Sequence, residues 1–290
     1  MLCEPISLKH KDLLDKKLKA VQTPISEYSF QNLYLFRGSH DYRVFETDGV
    51  VFVTGVTYDG GKYIMPACDI REVRTETLKN LQQQCDFFFP VAEEWLSHFD
   101  SSETEATFTD GDTDYVYTTE KMSTYPGRKL HKKRNLLKQF TDSYTAKAYM
   151  IDDNNMQDVR NVLEQWQENT GATKDETDYH ACTEALDLYH ELGICGGIYY
   201  VDNEPAAFII GEELTNDTYV MHFAKGLVKY KGIYQYIYND FANILPKKYA
   251  WINYEQDLGS MALRIAKTSY IPDMLMKKYR LKFTSGLLTK

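Results

Sequence analysis

The stretch CGGIYYVDNEPAAFIIGEELTNDTYVMHFAKG, residues 195–226, decides the fold because it predicts three β-strands in direct succession. Aromatic and β-branched residues dominate the segments, and the Asn203-Glu204 turn separates the first strand from the second. Two helices are predicted upstream of these strands. The first has apolar residues at helical spacing: Met156, Val159, Val162, Leu163 and Trp166. The second ends at Gly193.

A strand precedes the two helices, and a helix, a strand, another helix and a last β region follow the three strands. This order, β-α-α-β-β-β-α-β-α-β, resembles that of the GNAT acyltransferase fold. Residues 1–140 show a compatible but weaker order, α-β-β-β-α-β-α-β. We therefore predict an α/β (α+β) protein with two GNAT-like domains in tandem, residues 1–140 and 141–290, each a mixed central sheet flanked by helices.

Apolar residues make up 43% of the 290-residue chain, which is sufficient for a substantial core. Apolar runs of about 18 residues, the length that a membrane span needs, are absent, and charged residues interrupt the apolar residues near the N-terminus. We expect a cytoplasmic protein without a transmembrane segment. The five cysteines lack Cys-x-x-Cys spacing, so neither a disulfide framework nor a zinc ribbon is predicted.

The net charge of −9 argues against a protein that coats nucleic acid by bulk electrostatics. The charge is unevenly distributed, because residues 221–290 contain 12 Lys and Arg against 4 Asp and Glu. A second basic segment, in a helix predicted over residues 128–140, contains Arg128, Lys129, Lys132, Lys133 and Arg134. These regions predict surfaces that attract anions, and solvated surface is the alternative.

Residues 229–234, KYKGIY, connect a strand to the helix predicted from Ile233 to Leu245. A helix N-terminus offers N–H groups to anions, and a glycine lets a phosphate approach the backbone closely. Lys229, Lys231 and Gly232 are therefore candidate phosphate-binding residues. The pattern resembles the GNAT loop that holds the pyrophosphate of coenzyme A, except that Tyr234 replaces a small residue. An ordinary loop with two surface lysines is the alternative.

The segment INYEQDLG, residues 252–259, places three polar side chains where a core strand meets a helix predicted from Leu258 to Lys267. These polar residues are Asn253, Glu255 and Asp257. Arg264 and Lys267 share a helix face that is expected to lie above Glu255, an arrangement that favours an anionic partner or ligand. The alternative is structural: Asp257 caps the helix, and Glu255 pairs with Arg264.

The later part of the chain contains the pattern Asn253-x-Glu255-x-Asp257-Leu258-Gly259-x-x-x-Leu263-Arg264-x-x-Lys267-x-Ser269-Tyr270-x-Pro272, followed by Lys277-Lys278-Tyr279. Three upstream segments accompany it: Phe30–Tyr34, Gly127–Asn135 and His222–Gly226. Together they closely resemble the signature of the phosphatidylglycerol lysyltransferase C-terminal domain family. The resemblance covers roughly residues 25–282.

This resemblance implies two GNAT-like domains and a relation to enzymes that move an amino acid from aminoacyl-tRNA to a lipid headgroup. Many members lack a membrane part and have no assigned substrate, so lysine and phosphatidylglycerol are not carried over to this chain. We predict a transferase that moves an aminoacyl or acyl group to an amine or hydroxyl acceptor. Aminoacyl-tRNA is the favoured donor, and the acceptor is a small molecule or a lipid headgroup.

Direct acyl transfer needs a base for the proton of the acceptor and donors for the oxyanion. Glu255 is the first candidate for the base or for an anchor of the acceptor amine. His222 is the second, because an ordinary histidine pKa lies near neutral pH. Tyr270 is the candidate that protonates the leaving group. Lys225, Arg264 and Lys267 are the expected cations for a phosphate or carboxylate. Asn253 and Asp257 are expected to shape the site.

Two other functions stay open at this point. One is an N-acyltransferase that uses acyl-CoA, and the other is a non-catalytic binding protein that retains the fold. No cofactor beyond the donor substrate is predicted. A metal site is not predicted either, because His180 and Glu184 share a helix face that Cys182 and His190 do not join.

Overall fold

The structure, a computed structural model, describes residues 3–284. The chain forms two compact units. The first unit comprises Met1–Tyr115, Gln256–Ile265 and Leu275–Lys290, and the second comprises Val116–Glu255 and Ala266–Met274. This division differs from the expected boundary at residue 140. The reason is that the last strand joins the sheet of the first unit, whereas residues 116–140 belong to the second unit.

The strands and helices of the described residues are numbered in chain order. The strands are β1 (Glu4–Pro5), β2 (Arg43–Thr47), β3 (Val50–Val56), β4 (Lys62–Pro66), β5 (Phe87–Ala92), β6 (Thr104–Phe108), β7 (Asp114–Thr118), β8 (Ala146–Met150), β9 (Cys195–Val201), β10 (Glu204–Glu213), β11 (Thr218–Gly226), β12 (Trp251–Asn253), β13 (Met274–Met276) and β14 (Lys278–Phe283). The helices are α1 (Lys11–Val21), α2 (Phe30–Leu35), α3 (Arg37–His40), α4 (Thr75–Leu81), α5 (Thr119–Thr124), α6 (His131–Ser143), α7 (Met156–Thr170), α8 (Tyr179–Asp187), α9 (Tyr189–Leu192), α10 (Ile233–Ile244) and α11 (Met261–Thr268).

The first unit contains a seven-stranded sheet in the order β1-β2-β3-β4-β5-β14-β6. Strands β4 and β5 run parallel, and β14 pairs antiparallel with β5 and β6. The side chains at the centre of this sheet are fully buried: Phe52, Val53, Met65, Phe88 and Val91.

The second unit contains a seven-stranded sheet in the order β13-β7-β12-β11-β10-β9-β8. The pairs β8–β9, β9–β10 and β10–β11 are antiparallel. Strand β12 pairs parallel with β11 and antiparallel with β7. Strands β9, β10 and β11 are the three strands predicted from residues 195–226. Both sheets thus contain antiparallel pairs and a parallel pair, which confirms the predicted tandem of GNAT-like units with mixed sheets.

Helices α7 and α10 cover the second sheet with one apolar face each. The buried residues of these faces are Val159, Val162 and Leu163 in α7 and Ile233, Ile237 and Phe241 in α10. None of the helices within residues 3–284 combines the length and the apolar character that a bilayer span requires.

Helix α11 differs from the prediction in its start. Leu258 and Gly259 have φ angles of 52° and 76°, left-handed values that a right-handed helix does not accommodate. The helix therefore begins at Met261, and the Ser260 hydroxyl accepts the N–H of Leu263 at 3.4 Å, so that Ser260 takes the expected role of Asp257 as the cap. The apolar residues of α11 are largely exposed, with Met261 at 64% and Ile265 at 63%.

Candidate functional site

The second sheet opens between its two parallel strands. Pairing joins Thr218–Val220 of β11 to Trp251–Asn253 of β12 and ends there, although β11 continues to Gly226. After β12 the chain turns away, because Glu255 adopts a left-handed φ of 59°. The side chains two residues beyond the last pair, His222 and Glu255, meet in this opening, with Nδ1 and Oε1 2.8 Å apart.

A β-bulge positions His222. Ile210 of β10 pairs with Phe223 and Gly211 pairs with Met221, so His222 is the extra residue on β11. A bulge redirects the side chain at the extra position. Gly211 makes the close approach of the strands possible, since a Cβ at this position would lie 1.9 Å from the carbonyl oxygen of Val220.

Glu212, Glu255 and His222 form a buried triad. The Nε2 of His222 lies 3.1 Å from Oε1 of Glu212, on the side opposite Glu255. The side chains of His222, Glu212 and Glu255 are 0%, 3% and 13% exposed. Burial lowers the pKa of His222, but the hydrogen bonds and charges of the two carboxylates outweigh burial and raise this pKa to about 10.

The triad changes the role expected for His222. At neutral pH the imidazole is protonated and donates one N–H to each carboxylate, so it is not available as a base. The proton acceptors of the triad are the two carboxylates, and Glu255 is the more exposed of them. Glu212 was not predicted as a site residue. One signal was present in the sequence: Glu212 lies two positions after Ile210 in the strand PAAFIIGEEL, so the two side chains are expected on the same face of the sheet.

Asn253 and Lys267 hold the backbone at Glu255. The fully buried Asn253 accepts the N–H of Glu255 through Oδ1 at 2.6 Å. The ammonium of Lys267 donates to the carbonyl oxygens of Tyr254 and Glu255, at 2.7 and 3.2 Å. Asn253 thus fixes the backbone next to Glu255, and its role in shaping an active site stays a prediction. Lys267 lies next to Glu255, but its described contacts are with main-chain carbonyls and stabilise the turn.

Lys225 is neutralised by a carboxylate. Its ammonium lies 2.6 and 2.7 Å from the two oxygens of Asp178 and 3.8 Å from the centre of the Trp166 ring. The lysine side chain is only 6% exposed. This geometry gives Lys225 a structural ion pair and a cation–π contact, in place of the expected contact with a phosphate.

The glycine at the start of α10 has a packing reason. Gly232 has a φ of 89°, and a Cβ there would lie 2.5 Å from the carbonyl oxygen of Leu136 in α6. The hydroxyl of Tyr234 accepts the N–H of Gly226 at 3.2 Å, at the end of β11. Packing against α6 thus explains the glycine, and the hydroxyl of Tyr234, the residue that departs from the GNAT pattern, is bound to the end of β11. Lys229 and Lys231, the lysines of this loop, are exposed.

Tyr270 lies in a buried aromatic cluster of the second unit. It is 4% exposed, contacts Tyr125 and Tyr238, and accepts the side-chain N–H of Gln235 at 2.8 Å. Burial raises the pKa of Tyr270 well above its ordinary value. The ammonium of Lys133 lies 3.6 Å from the centre of the Tyr270 ring. Burial lowers the pKa of Lys133 to about 8.

In the first unit, Arg264 binds Asp257. The guanidinium Nε and Nη2 donate to the two oxygens of Asp257 at 2.8 and 3.2 Å. The Tyr115 hydroxyl donates to the same carboxylate at 2.6 Å, and the N–H of Gly259 donates at 2.8 Å. The ion pair of the structural alternative therefore exists with a different carboxylate: Asp257 binds Arg264, and Glu255 binds His222.

The basic segment divides into exposed and structural residues. Arg128, Lys129 and Lys132 are exposed, whereas Lys133 and Arg134 are partly buried. Arg134 donates to the carbonyl oxygens of Tyr125 and Gly127 and thereby closes the loop before α6. Residues 3–284 contain no group of three His, Cys, Asp or Glu that could hold a metal.

The fold of the two units is that of GNAT-like transferases. More specifically, the chain belongs to the family described as phosphatidylglycerol lysyltransferase, C-terminal, whose sequence profile matches residues 18–282. The fold and the family are those of acyltransferases and aminoacyltransferases.

Known proteins share this fold along most of their length. A conserved protein of unknown function from Bacteroides thetaiotaomicron is 24% identical, with a TM-score of 0.82 over 97% of this chain and 99% of that one. L-PGS from Bacillus licheniformis is 14% identical, with a TM-score of 0.61 over 98% and 94%. An uncharacterized protein of Mycoplasmoides gallisepticum is 27% identical over 225 residues, 74% of this chain and 70% of that protein.

Proposed function

We propose that this protein transfers an aminoacyl group from aminoacyl-tRNA to an amine or hydroxyl acceptor, with its active site in the opening between β11 and β12. One observation carries the proposal: the imidazolium of His222 held between the carboxylates of Glu212 and Glu255. Burying a charged imidazole opposes folding, and a group whose pKa is strongly perturbed, as that of His222 is, is typical of functional sites.

In the proposed reaction, the acceptor nitrogen or oxygen attacks the ester carbonyl carbon of the aminoacyl-tRNA. The new C–N or C–O bond forms and the ester C–O bond to the ribose breaks. The ribose oxygen leaves as a hydroxyl, with the proton that Glu255 has taken from the acceptor. Glu255 binds the attacking group and takes its proton. His222 stays protonated and orients the carboxylate of Glu255, and Glu212 balances the charge of His222.

Two features support tRNA over acyl-CoA as the donor. The exposed cations Arg128, Lys129 and Lys132 offer phosphate contacts of the kind that position nucleic acids. At the loop where a coenzyme A pyrophosphate was considered, the Tyr234 hydroxyl binds Gly226, and the Gly232 position faces α6.

The transfer reaction is tested with the purified full chain, radiolabelled aminoacyl-tRNA from total tRNA, and acceptor pools of polyamines and extracted lipids. We expect loss of the tRNA ester together with a new aminoacylated product in the mass spectrum. Glu255→Gln lowers the single-turnover rate by about 100-fold or more, because it removes the proton acceptor. Glu213→Gln is the matched control, since Glu213 adjoins Glu212 in β10 but binds Lys248 and Tyr249.

Two results would refute the transferase proposal: no product above the uncatalysed rate with any acceptor, or equal rates for Glu255→Gln and the unmodified chain. A thioester that co-purifies with the protein would favour the acyl-CoA alternative. Ligand binding without turnover would favour the non-catalytic alternative.

The tRNA partner is tested separately by the salt dependence of binding. The double variant Lys129→Ala, Lys132→Ala should weaken tRNA binding and reduce the slope of log K against log salt by about 1–2. Lys138→Ala is the control, because Lys138 lies on the same helix as Lys132, is 74% exposed and is paired with Asp142. Equal slopes for the double variant and the control would exclude this surface as the tRNA contact.

A further inference from the structure

Strand β8 forms one end of the second sheet and is paired on one side only. Its neighbour is β9, and within residues 3–284 no strand pairs with its other side. Two of its large side chains are exposed as well, Tyr149 at 52% and Met150 at 64%. A strand with unpaired backbone groups and exposed apolar side chains can pair with a further strand.

The hydrogen bonds at the two ends of β8 show which backbone groups are unpaired. The carbonyl oxygen of Thr145 accepts an N–H from the residue after β9 at 2.8 Å, and the N–H of Ile151 donates to β9 at 3.1 Å. The direction of these groups alternates along an antiparallel strand, so the odd-numbered residues bond to β9. The N–H and C=O groups of Ala146, Ala148 and Met150 therefore point away from β9. We call these groups the β8 edge.

The protein itself closes both ends of the β8 edge. On one side, the N–H of Tyr144 donates to the carbonyl oxygen of Phe140 in α6 at 2.9 Å. On the other, the side chain of Asn155 accepts the N–H of Asp152 at 3.0 Å and donates to the carbonyl oxygen of Met150 at 2.8 Å. That oxygen keeps a second lone pair for a further hydrogen bond. The β8 edge is thus a short segment whose middle residue is also the middle of the strand.

A second copy of β8 fits this edge in antiparallel register, with a two-fold axis at Ala148. In this register Ala148 pairs with Ala148 of the second copy, and Ala146 pairs with Met150 of the second copy. The outward groups of such residues exchange hydrogen bonds in an antiparallel pair. Every N–H of the β8 edge then finds a carbonyl oxygen, and the two copies contribute identical surfaces, as a two-fold interface requires.

The side chains of β8 are complementary in the same register. Lys147 of one copy lies opposite Tyr149 of the other and not opposite a second lysine, and a phenol ring attracts an ammonium group. The ammonium of Lys147 is 3.5 Å from Oδ1 of Asn203, and no carboxylate within residues 3–284 pairs with it. On the other face, the small Ala146 lies opposite the exposed Met150. This charge complementarity favours a second copy of the chain as the partner.

We propose that two copies of this protein associate through β8, which joins their second sheets edge to edge. One pair of short strands is a small interface, so the association should be weak and should depend on protein concentration. It uses neither the triad nor the basic segment and does not depend on the proposed transferase activity. In the alternative, Lys147 keeps the edge solvated and the protein monomeric, as lysines on edge strands commonly do.

The experiment measures the molar mass of the full chain by sedimentation equilibrium and the hydrogen exchange of its backbone amides by NMR. We expect the mass to rise from one chain towards two between about 10 µM and 1 mM, the range of a weak interface. The amides of Ala146, Ala148 and Met150 should exchange about tenfold more slowly or less at the highest concentration, because pairing protects them. A mass of one chain at every concentration would overturn the proposal.

Two variants locate the interface. Ala148→Pro removes an N–H that points away from β9, a position where an edge strand tolerates proline, and should abolish the association. Tyr149→Lys places a lysine opposite Lys147 of the second copy and should weaken the association by about tenfold or more. It decides the question if Ala148→Pro does not fold.

Thr107→Lys is the matched control, because it adds the same charge at an exposed position of β6, the end strand of the first sheet. It should leave the association unchanged. An association that persists in a folded Ala148→Pro or Tyr149→Lys variant, or that Thr107→Lys weakens to the same extent as Tyr149→Lys, would overturn the assignment to β8.

Discussion

Replacing Glu212 by glutamine should lower the pKa of His222 and weaken the fold in a pH-dependent way. The substitution keeps the size of the side chain and removes one of the two negative charges that hold the imidazolium. The folded-state pKa of His222, about 10, is raised above the ordinary value of 6.5. The stabilisation is therefore fully present below pH 6.5 and is lost as the pH rises through 10.

The magnitude follows from the shift of this pKa. One pKa unit corresponds to about 1.4 kcal/mol, so a rise from 6.5 to about 10 is on the order of 5 kcal/mol in favour of the charged state. One opposite charge at hydrogen-bond distance moves a pKa by about 1–3 units. Glu212→Gln should therefore reduce the free energy of unfolding by about 1–4 kcal/mol at pH 6, and by progressively less as the pH approaches 10.

The assay combines 15N NMR of the His222 side chain with urea unfolding at pH 6, 8 and 10. In the unmodified protein both ring nitrogens should carry protons throughout pH 6–9, whereas in Glu212→Gln the ring should titrate about 1–3 units lower. Glu213→Gln should leave the pKa of His222 unchanged. A midpoint near 6.5 in the unmodified protein, or a stability difference that is constant from pH 6 to 10, would refute the reasoning.

Three further predictions concern the second unit. Gly232→Ala should lower the free energy of unfolding by about 2–4 kcal/mol in urea titrations, more than Gly127→Ala does. Both glycines have a positive φ, but only at Gly232 would a Cβ meet a main-chain atom at close range, so equal losses would contradict this prediction. Asp178→Asn should lower the free energy of unfolding by about 2–4 kcal/mol, because the buried ammonium of Lys225 loses the charge of Asp178, whose side chain is 32% exposed. A loss below about 1 kcal/mol would exclude a stabilising ion pair. The NMR signal of 13C-dimethylated Lys133 should titrate near pH 8, because burial favours the neutral amine; a midpoint near 10.5 would contradict this.

The local sequence pattern was sufficient to predict most strands and helices and to identify the family. Alternating aromatic and β-branched residues predicted β9 to β11, and helical spacing in α7 marked the face that packs on the sheet. The start of α11 was misplaced by three residues, because the left-handed backbone of Leu258 is not visible in hydrophobic spacing.

The chain by itself determined which residues had to be polar in a buried setting, because Asn253, Glu255 and His222 interrupt apolar strands. Only the tertiary structure decided their partners. Glu255 binds His222 across the opened strand pair, 33 positions away in sequence. Arg264, which helical spacing placed next to Glu255, binds Asp257. Electrostatic partners depend on distances of a few ångströms between segments, and sheet pairing, a bulge and a left-handed turn set those distances after the local elements have formed.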